Sequence, residues 1–190
     1  MKNSYLGQAW LVLAISLLFG ALLAGVEVGL AGKIAANKLN ETLEQIPNLV
    51  PGAVKGEEVD LGDRVAYKAL DADGKHVGWV IKAAGTGFAD RIELLLGLNA
   101  DATLITGLYV LDQKETPALG DNIKKANFRD RFNGKPADVA LSASQAPEGP
   151  DQIQAISGAT ISSQSVCDIV NGATAQFAEA LAAMSEEGEE

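Results

Sequence analysis

Residues 64–111 read RVAYKALDADGKHVGWVIKAAGTGFADRIELLLGLNADATLITGLYVL, and this stretch decides the fold. Arg64 to Leu70 has strand character, and Asp71-Ala72-Asp73-Gly74-Lys75 is a hairpin turn. The partner strand runs from His76 to Ala84, with Val77, Trp79 and Ile81 in alternation. Gly85-Thr86-Gly87 breaks it. Two further strands follow, Ile92 to Leu98 and Thr103 to Leu111, joined through residues 99–102. Short joints between successive strands predict an antiparallel meander with one buried face. His76 opens a strand beside a turn, where a lone histidine reads as exposed or structural.

On the C-terminal side the pattern turns irregular. Thr116 precedes Pro117 and is therefore expected to be extended. Asp121 to Phe132 reads as a short basic and aromatic helix, and Asn133-Gly134 as a turn. Asp138 to Ser142 is a candidate strand, and residues 146–150 form a loop. Val166, Ile169, Val170, Ala173, Phe177, Ala180, Leu181 and Met184 then recur at spacings of three and four, which predicts a helix. Ser162 and Ser163 are the candidate N-cap residues. Cys167 lies on this helix as packing or inert surface. Residues 185–190 form an acidic tail expected to be disordered.

On the N-terminal side, residues 9–26 carry no charge. Such a run is close to the length a bilayer core requires, longer than a signal-peptide core, and lacks a small-x-small site just after it. We read it as an uncleaved anchor with Trp10 at an interface and Glu27 at the span's end. Lys33 to Ile46 continues as an amphipathic stalk that Pro47 and Pro51 terminate. The expected organisation is therefore residues 1–31 for the cytoplasmic start and anchor, 32–50 for the stalk, 51–184 for the folded domain and 185–190 for the tail. The fold class is α+β: one membrane helix, then an antiparallel sheet with flanking helices.

Composition narrows the chemistry. Acidic residues number 25 against 15 basic ones, for a net charge of −10. That balance argues against nucleic acid, which needs a concentrated basic surface. One Cys and one His exclude an intrachain disulfide, a Cys-rich metal cluster and a multi-His site. A redox role would then fall to an organic cofactor. A hydrolase reading is poor, because there is no second His and no activated-nucleophile constellation.

The chemistry-bearing stretch is Ser157-Gly158-Ala159-Thr160-Ile161-Ser162-Ser163, small residues and hydroxyls at a helix start. A helix N-terminus offers free N–H groups to a phosphate, and Gly and Ala allow close approach. The same residues also suit an ordinary capped helix entry.

Ser157-Gly158-Ala159-Thr160 resembles the flavinylation motif of the membrane-anchored FMN-binding domain family. That family includes the G subunit of Rnf electron-transport complexes and the C subunit of sodium-pumping NADH:quinone oxidoreductase. Gly85-Thr86-Gly87-Phe88 with Ile92 is similar to its G-x-G-aromatic segment. Glu115-Thr116-Pro117-Ala118-Leu119-Gly120 is similar to its E-T-P-G-L-G segment, and Asn48 to Ala53 to its stretch after the stalk. One anchor and a chain of 190 residues suit the Rnf subunit better.

The resemblance implies FMN esterified through its phosphate to Thr160, with Glu115, Thr116 and Leu119 near ring or phosphate and Phe88 as a second possible wall. It implies a flavin transferase during maturation and other membrane and redox subunits as partners. It also implies an extracytoplasmic domain on a bacterial inner membrane. The activity implied is electron relay within a ferredoxin:NAD oxidoreductase coupled to ion movement, without independent catalysis. Alternatives are an FMN-binding subunit of a quinone reductase or other respiratory reductase, and an anchored scaffold without flavin. Three positions depart from the family pattern: Ala118 stands for Gly, Gln113 for a frequent His, and Gln154 for the Asp that the transferase is thought to read. Gly172-Ala173-Thr174 repeats the letters inside the helix and is read as chance.

Overall fold

The computed structural model describes residues 5–61 and 65–187. Helix α1 spans Tyr5–Leu49, 45 residues without interruption. Contacts divide the chain into two compact units, residues 1–40 and 41–190. The last turns of α1 therefore belong to the same unit as the sheet.

Within the first unit the helix is apolar and bare. Leu17, Leu23 and Val28 are 77%, 70% and 79% exposed, and the helix is long and apolar enough to cross a membrane, with none of its most apolar window buried in the protein. A water-soluble surface does not carry such a contiguous apolar sleeve, and a bilayer covers it.

Pro47 does not end the helix as expected; it lies inside it. A proline this close to the C-terminus removes a single backbone hydrogen bond. Burial of Ile46 (0%), Leu49 (3%) and Val50 (1%) outweighs that loss. The chain turns away only at Pro51 and Gly52, where Gly52 has φ +87°.

The second unit is built on a five-stranded antiparallel sheet in sequence order. Its strands are β1 Lys55–Asp60, β2 Val65–Leu70, β3 His76–Thr86, β4 Arg91–Asn99 and β5 Ile105–Asp112. Strand β1 carries no strand signal in its sequence: KGEEVD buries no residue, and it pairs only along the edge with β2. Arg64 lies outside the described residues. In the β2–β3 turn, Asp71 Oδ1 accepts the backbone N–H groups of Asp73 and Lys75 at 3.0 and 2.8 Å. Gly74 supplies φ +79°. His76 is structural: its ring donates to the Gly78 carbonyl at 2.9 Å and meets Trp79 edge-on at 4.8 Å.

The sheet buries both faces, not one. On one side Ile81, Ile92, Leu94, Leu96 and Leu98 pack with Phe128, Phe132, Val166, Val170 and Phe177. On the other, Val80, Leu95 and Tyr67 pack with Ile46, Leu49 and Val50. The unbroken run Leu94-Leu95-Leu96-Gly97-Leu98 is the signature of a doubly covered strand. Gly97 and Gly107 are register partners, and the end of α1 rests on them. A Cβ at Gly97 would lie 2.5 Å from the Leu49 carbonyl oxygen, and one at Gly107 would lie 2.9 Å from Leu49 Cα. Thr106 Oγ1 donates to that carbonyl at 2.7 Å.

After β5 the chain forms 3-10 turns at Gly120–Lys124 and Asp130–Phe132 around a four-residue helix, α2 Ala126–Arg129. The single helix expected over 121–132 is thus broken into pieces. Lys125 is extended (φ −76°, ψ 143°), which lets Ile123 and Phe128 both reach the core. The candidate strand at 138–142 is displaced: β6 is Ser142–Ser144, parallel to β7 Gln152–Gln154. Helix α3 runs Thr160–Glu187, 28 residues. It continues through Ser185, Glu186 and Glu187 of the expected tail, because these residues tolerate helix and no Gly intervenes before 188.

Candidate functional site

The loop leaving β5 carries Glu115. Its backbone N–H donates to Gln113 Oε1 at 2.6 Å. Its side chain is buried, at 3% exposure. Oε1 accepts the Ala89 backbone N–H at 3.0 Å, and Oε2 accepts the Ser162 hydroxyl at 2.5 Å. Glycine is required around this carboxylate. A Cβ at Gly87 would overlap Glu115 Oε1, and one at Gly120 would sit 2.9 Å from Oε2 and 2.7 Å from Ser162 Oγ. Three of the four segments singled out in the sequence therefore meet at one buried carboxylate, and Asn48 to Ala53 is not among them. Beside it, the Arg91 backbone N–H and then Lys114 hold the exposed Asp90 carboxyl below the usual carboxylate range.

Thr116 is exposed, and its carbonyl accepts the N–H groups of Leu119 and Asp121 at 3.2 and 3.1 Å. Pro117 and Ala118 occupy the bend, with Ala118 at φ +62°. That conformation favours glycine, so alanine here costs about 1 kcal/mol. Leu119 (44%) and Phe88 (60%) are exposed, so neither is core.

The segment 157–163 faces this loop. Gly158 has φ +78°, and a Cβ there would lie 3.2 Å from Leu119 Cδ2. Ser157 and Gly158 are exposed, whereas Ala159 is buried. The helical ladder begins with the Ser163 N–H on the Ala159 carbonyl at 3.0 Å. Consequently the N–H groups of Thr160, Ile161 and Ser162 precede the ladder, at the positive end of α3.

Ser162 and Ser163 are not N-caps, since α3 starts at Thr160. Apolar spacing marks a helix's face but not its first turn, and the small Ala159 and Thr160 let the helix begin earlier. Both serines are buried. Ser162 serves Glu115. Ser163 Oγ donates to the Ala159 carbonyl at 2.9 Å and accepts the Ile156 N–H at 3.0 Å.

Thr160 itself is exposed. Its Oγ1 accepts Gln145 Nε2 at 2.9 Å. Gln154 Nε2 donates to the Gln145 carbonyl at 2.5 Å, and the Arg131 guanidinium donates to the Gln154 carbonyl. Sequence reasoning missed Gln145 altogether; it lies 15 positions from Thr160 in an irregular loop and belongs to no motif.

These residues fit a phosphate ester. Thr160 is exposed, three N–H groups stand ahead of the ladder, and an added Cβ at Gly158 would close on Leu119. Thr174 of the repeated letters is buried within α3 and donates to the Asn171 carbonyl. A groove of about 640 Å³ lies elsewhere, between β3 and α3, lined by Lys82, Gly85, Arg91, Asp168 and Gln176 among others but by none of the sequence-predicted site residues. Cys167 is fully buried, and burial pushes its thiol up to about 12.

Comparison with known proteins places the chain in a family. Residues 87–175 match the FMN-binding domain. That span holds the Glu115 clamp and Thr160. The G subunit of the ion-translocating oxidoreductase complex of Methanosarcina acetivorans is 34% identical over 85% of this chain and 88% of its own length. The G subunit of the Na(+)-translocating ferredoxin:NAD(+) oxidoreductase complex of Acetobacterium woodii is 36% identical over 53% of this chain and 49% of its own. Among solved structures, the C subunit of the Na(+)-translocating NADH-quinone reductase from Parabacteroides distasonis superposes with a TM-score of 0.57. It is 21% identical, over 70% of this chain and 79% of that one, a likeness of fold. The chain is thus an FMN-binding-domain protein. Within that class it belongs to the family of G subunits of ion-translocating oxidoreductase complexes.

Proposed function

We propose that this chain is the membrane-anchored flavoprotein subunit of an Rnf-type ferredoxin:NAD oxidoreductase coupled to ion translocation, with FMN esterified to Thr160. Its single span sits in the cytoplasmic membrane and its folded domain faces the extracytoplasmic side. The relatives support the complex. One is the G subunit of a Na(+)-translocating ferredoxin:NAD(+) oxidoreductase, and another, from Clostridium ljungdahlii, is that of a proton-translocating one. The observation that carries the site is the exposed Thr160 at the start of α3, two residues after Gly158, which faces Leu119, and two before Ser162, which bonds Glu115.

Flavin supplies one-electron and two-electron redox chemistry through its ring. The chain's own residues hold it. Thr160 Oγ1 would be the nucleophile towards the flavin-bearing phosphorus of a flavin phosphoanhydride brought by a transferase. The anhydride P–O bond would break as the ester bond forms, with the electron pair leaving on the nucleotide phosphate and the hydroxyl proton passing to a base of the transferase. The N–H groups of Thr160, Ile161 and Ser162 would be donors for the phosphate oxygens. A tether of this kind keeps a carrier flavin from diffusing away and fixes its local concentration near neighbouring redox groups.

The test is peptide mass on full-length protein made beside a competent flavin transferase. Thr160→Val keeps the shape, removes the oxygen, and is expected to abolish the adduct; Thr174→Val is expected to leave it unchanged. An adduct on a peptide lacking Thr160 moves the attachment point elsewhere, whereas none on the wild type favours instead an anchored scaffold without flavin, a reading that Gln154 in the usual Asp position motivates.

A further inference from the structure

The side chain that touches Thr160 Oγ1 comes from outside every motif. Gln145 follows β6, and its carboxamide donates to that oxygen at 2.9 Å. Its backbone is held from beneath. Gln154 Nε2 donates to the Gln145 carbonyl, Ser144 and Gln154 are register partners, and the Ala155 N–H donates to the Ser144 carbonyl at 2.7 Å. The amide that reaches Thr160 thus springs from an anchored stretch of backbone.

We propose that Gln145 is a phosphate-binding and positioning residue of the flavin site, an inference that rests on Thr160 being the attachment point. A threonine hydroxyl has one hydrogen and two lone pairs, and a carboxamide nitrogen has two hydrogens. By donating to one lone pair, Gln145 fixes the hydroxyl's direction and leaves its hydrogen and second lone pair for the reaction. Once the ester has formed, Oγ1 has lost its hydrogen and bridges to phosphorus, and negative charge resides on the non-bridging oxygens. The same amide, one bond away, then donates to one of them. It adds a side-chain donor to the three N–H groups of the α3 start. A neutral donor suits a phosphodiester, which carries one fixed negative charge at every physiological pH.

The experiment uses the full chain, produced beside a flavin transferase, as wild type, Gln145→Ala and Gln145→Glu. Three quantities are read: the time course of modification by intact mass, the thermal midpoint, and the ³¹P resonance of the ester across pH 3–8. Loss of one hydrogen bond to a charged group predicts initial modification slowed about tenfold or more in Gln145→Ala, with the midpoint unchanged because the side chain is exposed. The ³¹P signal of that ester moves from its wild-type position.

In Gln145→Glu a carboxylate sits against the phosphate, so the ³¹P signal is expected to titrate through the carboxylate range, where the wild-type signal is flat. Slower modification with an unmoved and non-titrating phosphorus signal assigns Gln145 to recognition by the transferase only and overturns the proposal. So do variants that match the wild type in rate and signal, while leaving Thr160 as the attachment point. A wild-type chain that takes up no flavin overturns both readings together.

Discussion

Ser162 Oγ donates to Glu115 Oε2 at 2.5 Å, joining the first turn of α3 to a loop 47 positions earlier in the chain. Through this bond the segment bearing Leu119 and the segment bearing Thr160 are one piece of structure. The carboxylate's other oxygen ties in Ala89. Glu115 therefore bears on the proposed flavin site by holding the Leu119 and Thr160 segments together.

Glu115→Ala is accordingly expected to lower stability by about 2–3 kcal/mol, because the Ser162 hydroxyl and Ala89 N–H lose their buried acceptor. Glu115→Gln keeps one acceptor and is expected to lose about half as much. Chemical denaturation of the chain in detergent measures both. Equal stability in all three proteins would remove the clamp from the account.

Gly87→Ala and Gly120→Ala are expected to cost about 1–3 kcal/mol each, since the added methyl strikes the Glu115 carboxylate and, at Gly87, the Asp90 carbonyl oxygen at 2.7 Å. Combined with Glu115→Ala, either change is expected to cost less than on its own. A double-mutant cycle checks this coupling.

Leu119→Ala separates site from scaffold. The side chain is exposed, so stability is expected to stay within about 0.5 kcal/mol. Its place beside Gly158 puts it within reach of a flavin on Thr160. We expect a shifted visible absorbance and circular dichroism of the bound flavin at unchanged occupancy. Unaltered spectra would exclude Leu119 as a wall of the ring.

The Cys167 thiol sets an alkaline limit. Its pKa is about 12 in the fold, against 9.0 for the unperturbed group, because burial disfavours the thiolate. Below pH 9 the thiol is protonated in both states and its contribution to stability is intact. Above that the unfolded chain ionises first, so stability is expected to fall towards pH 12 by about 1.4 kcal/mol per unit. Cys167→Ala should flatten this slope. Denaturation midpoints between pH 8 and 11 provide the measurement.

Orientation is open to a direct check. Protease added outside intact spheroplasts is expected to digest the folded domain, and complete protection would place it on the cytoplasmic side.

Much of the fold was legible because its signals are local. Alternation marked the meander, and the run of residues 9–26 marked the anchor. What escaped was set by tertiary contact. The second buried face of the sheet depends on Leu49 reaching the Gly97–Gly107 pair, which no periodicity within β4 or β5 announces. Strand β1 buries nothing, so its composition is that of a loop. At the candidate site, the motif letters named segments that the fold brings together but misjudged how the hydroxyls divide. Ser162 and Ser163 look like caps in sequence, yet they are buried struts, because the helix begins two residues before Ser162. Gln145 gave no signal, since a hydrogen-bond donor delivered by a loop leaves no spacing to detect.

The burial of Cys167 also bears on how the protein can be studied. It is the chain's single cysteine, fully enclosed, and its thiolate is suppressed at neutral pH. Alkylating reagents act on exposed thiolates, so the natural sequence already behaves as a cysteine-free background while folded. A cysteine introduced at an exposed position such as Asp138→Cys would take a spin label or fluorophore alone. Distances from that label to the proposed flavin could then be followed without first re-engineering the core.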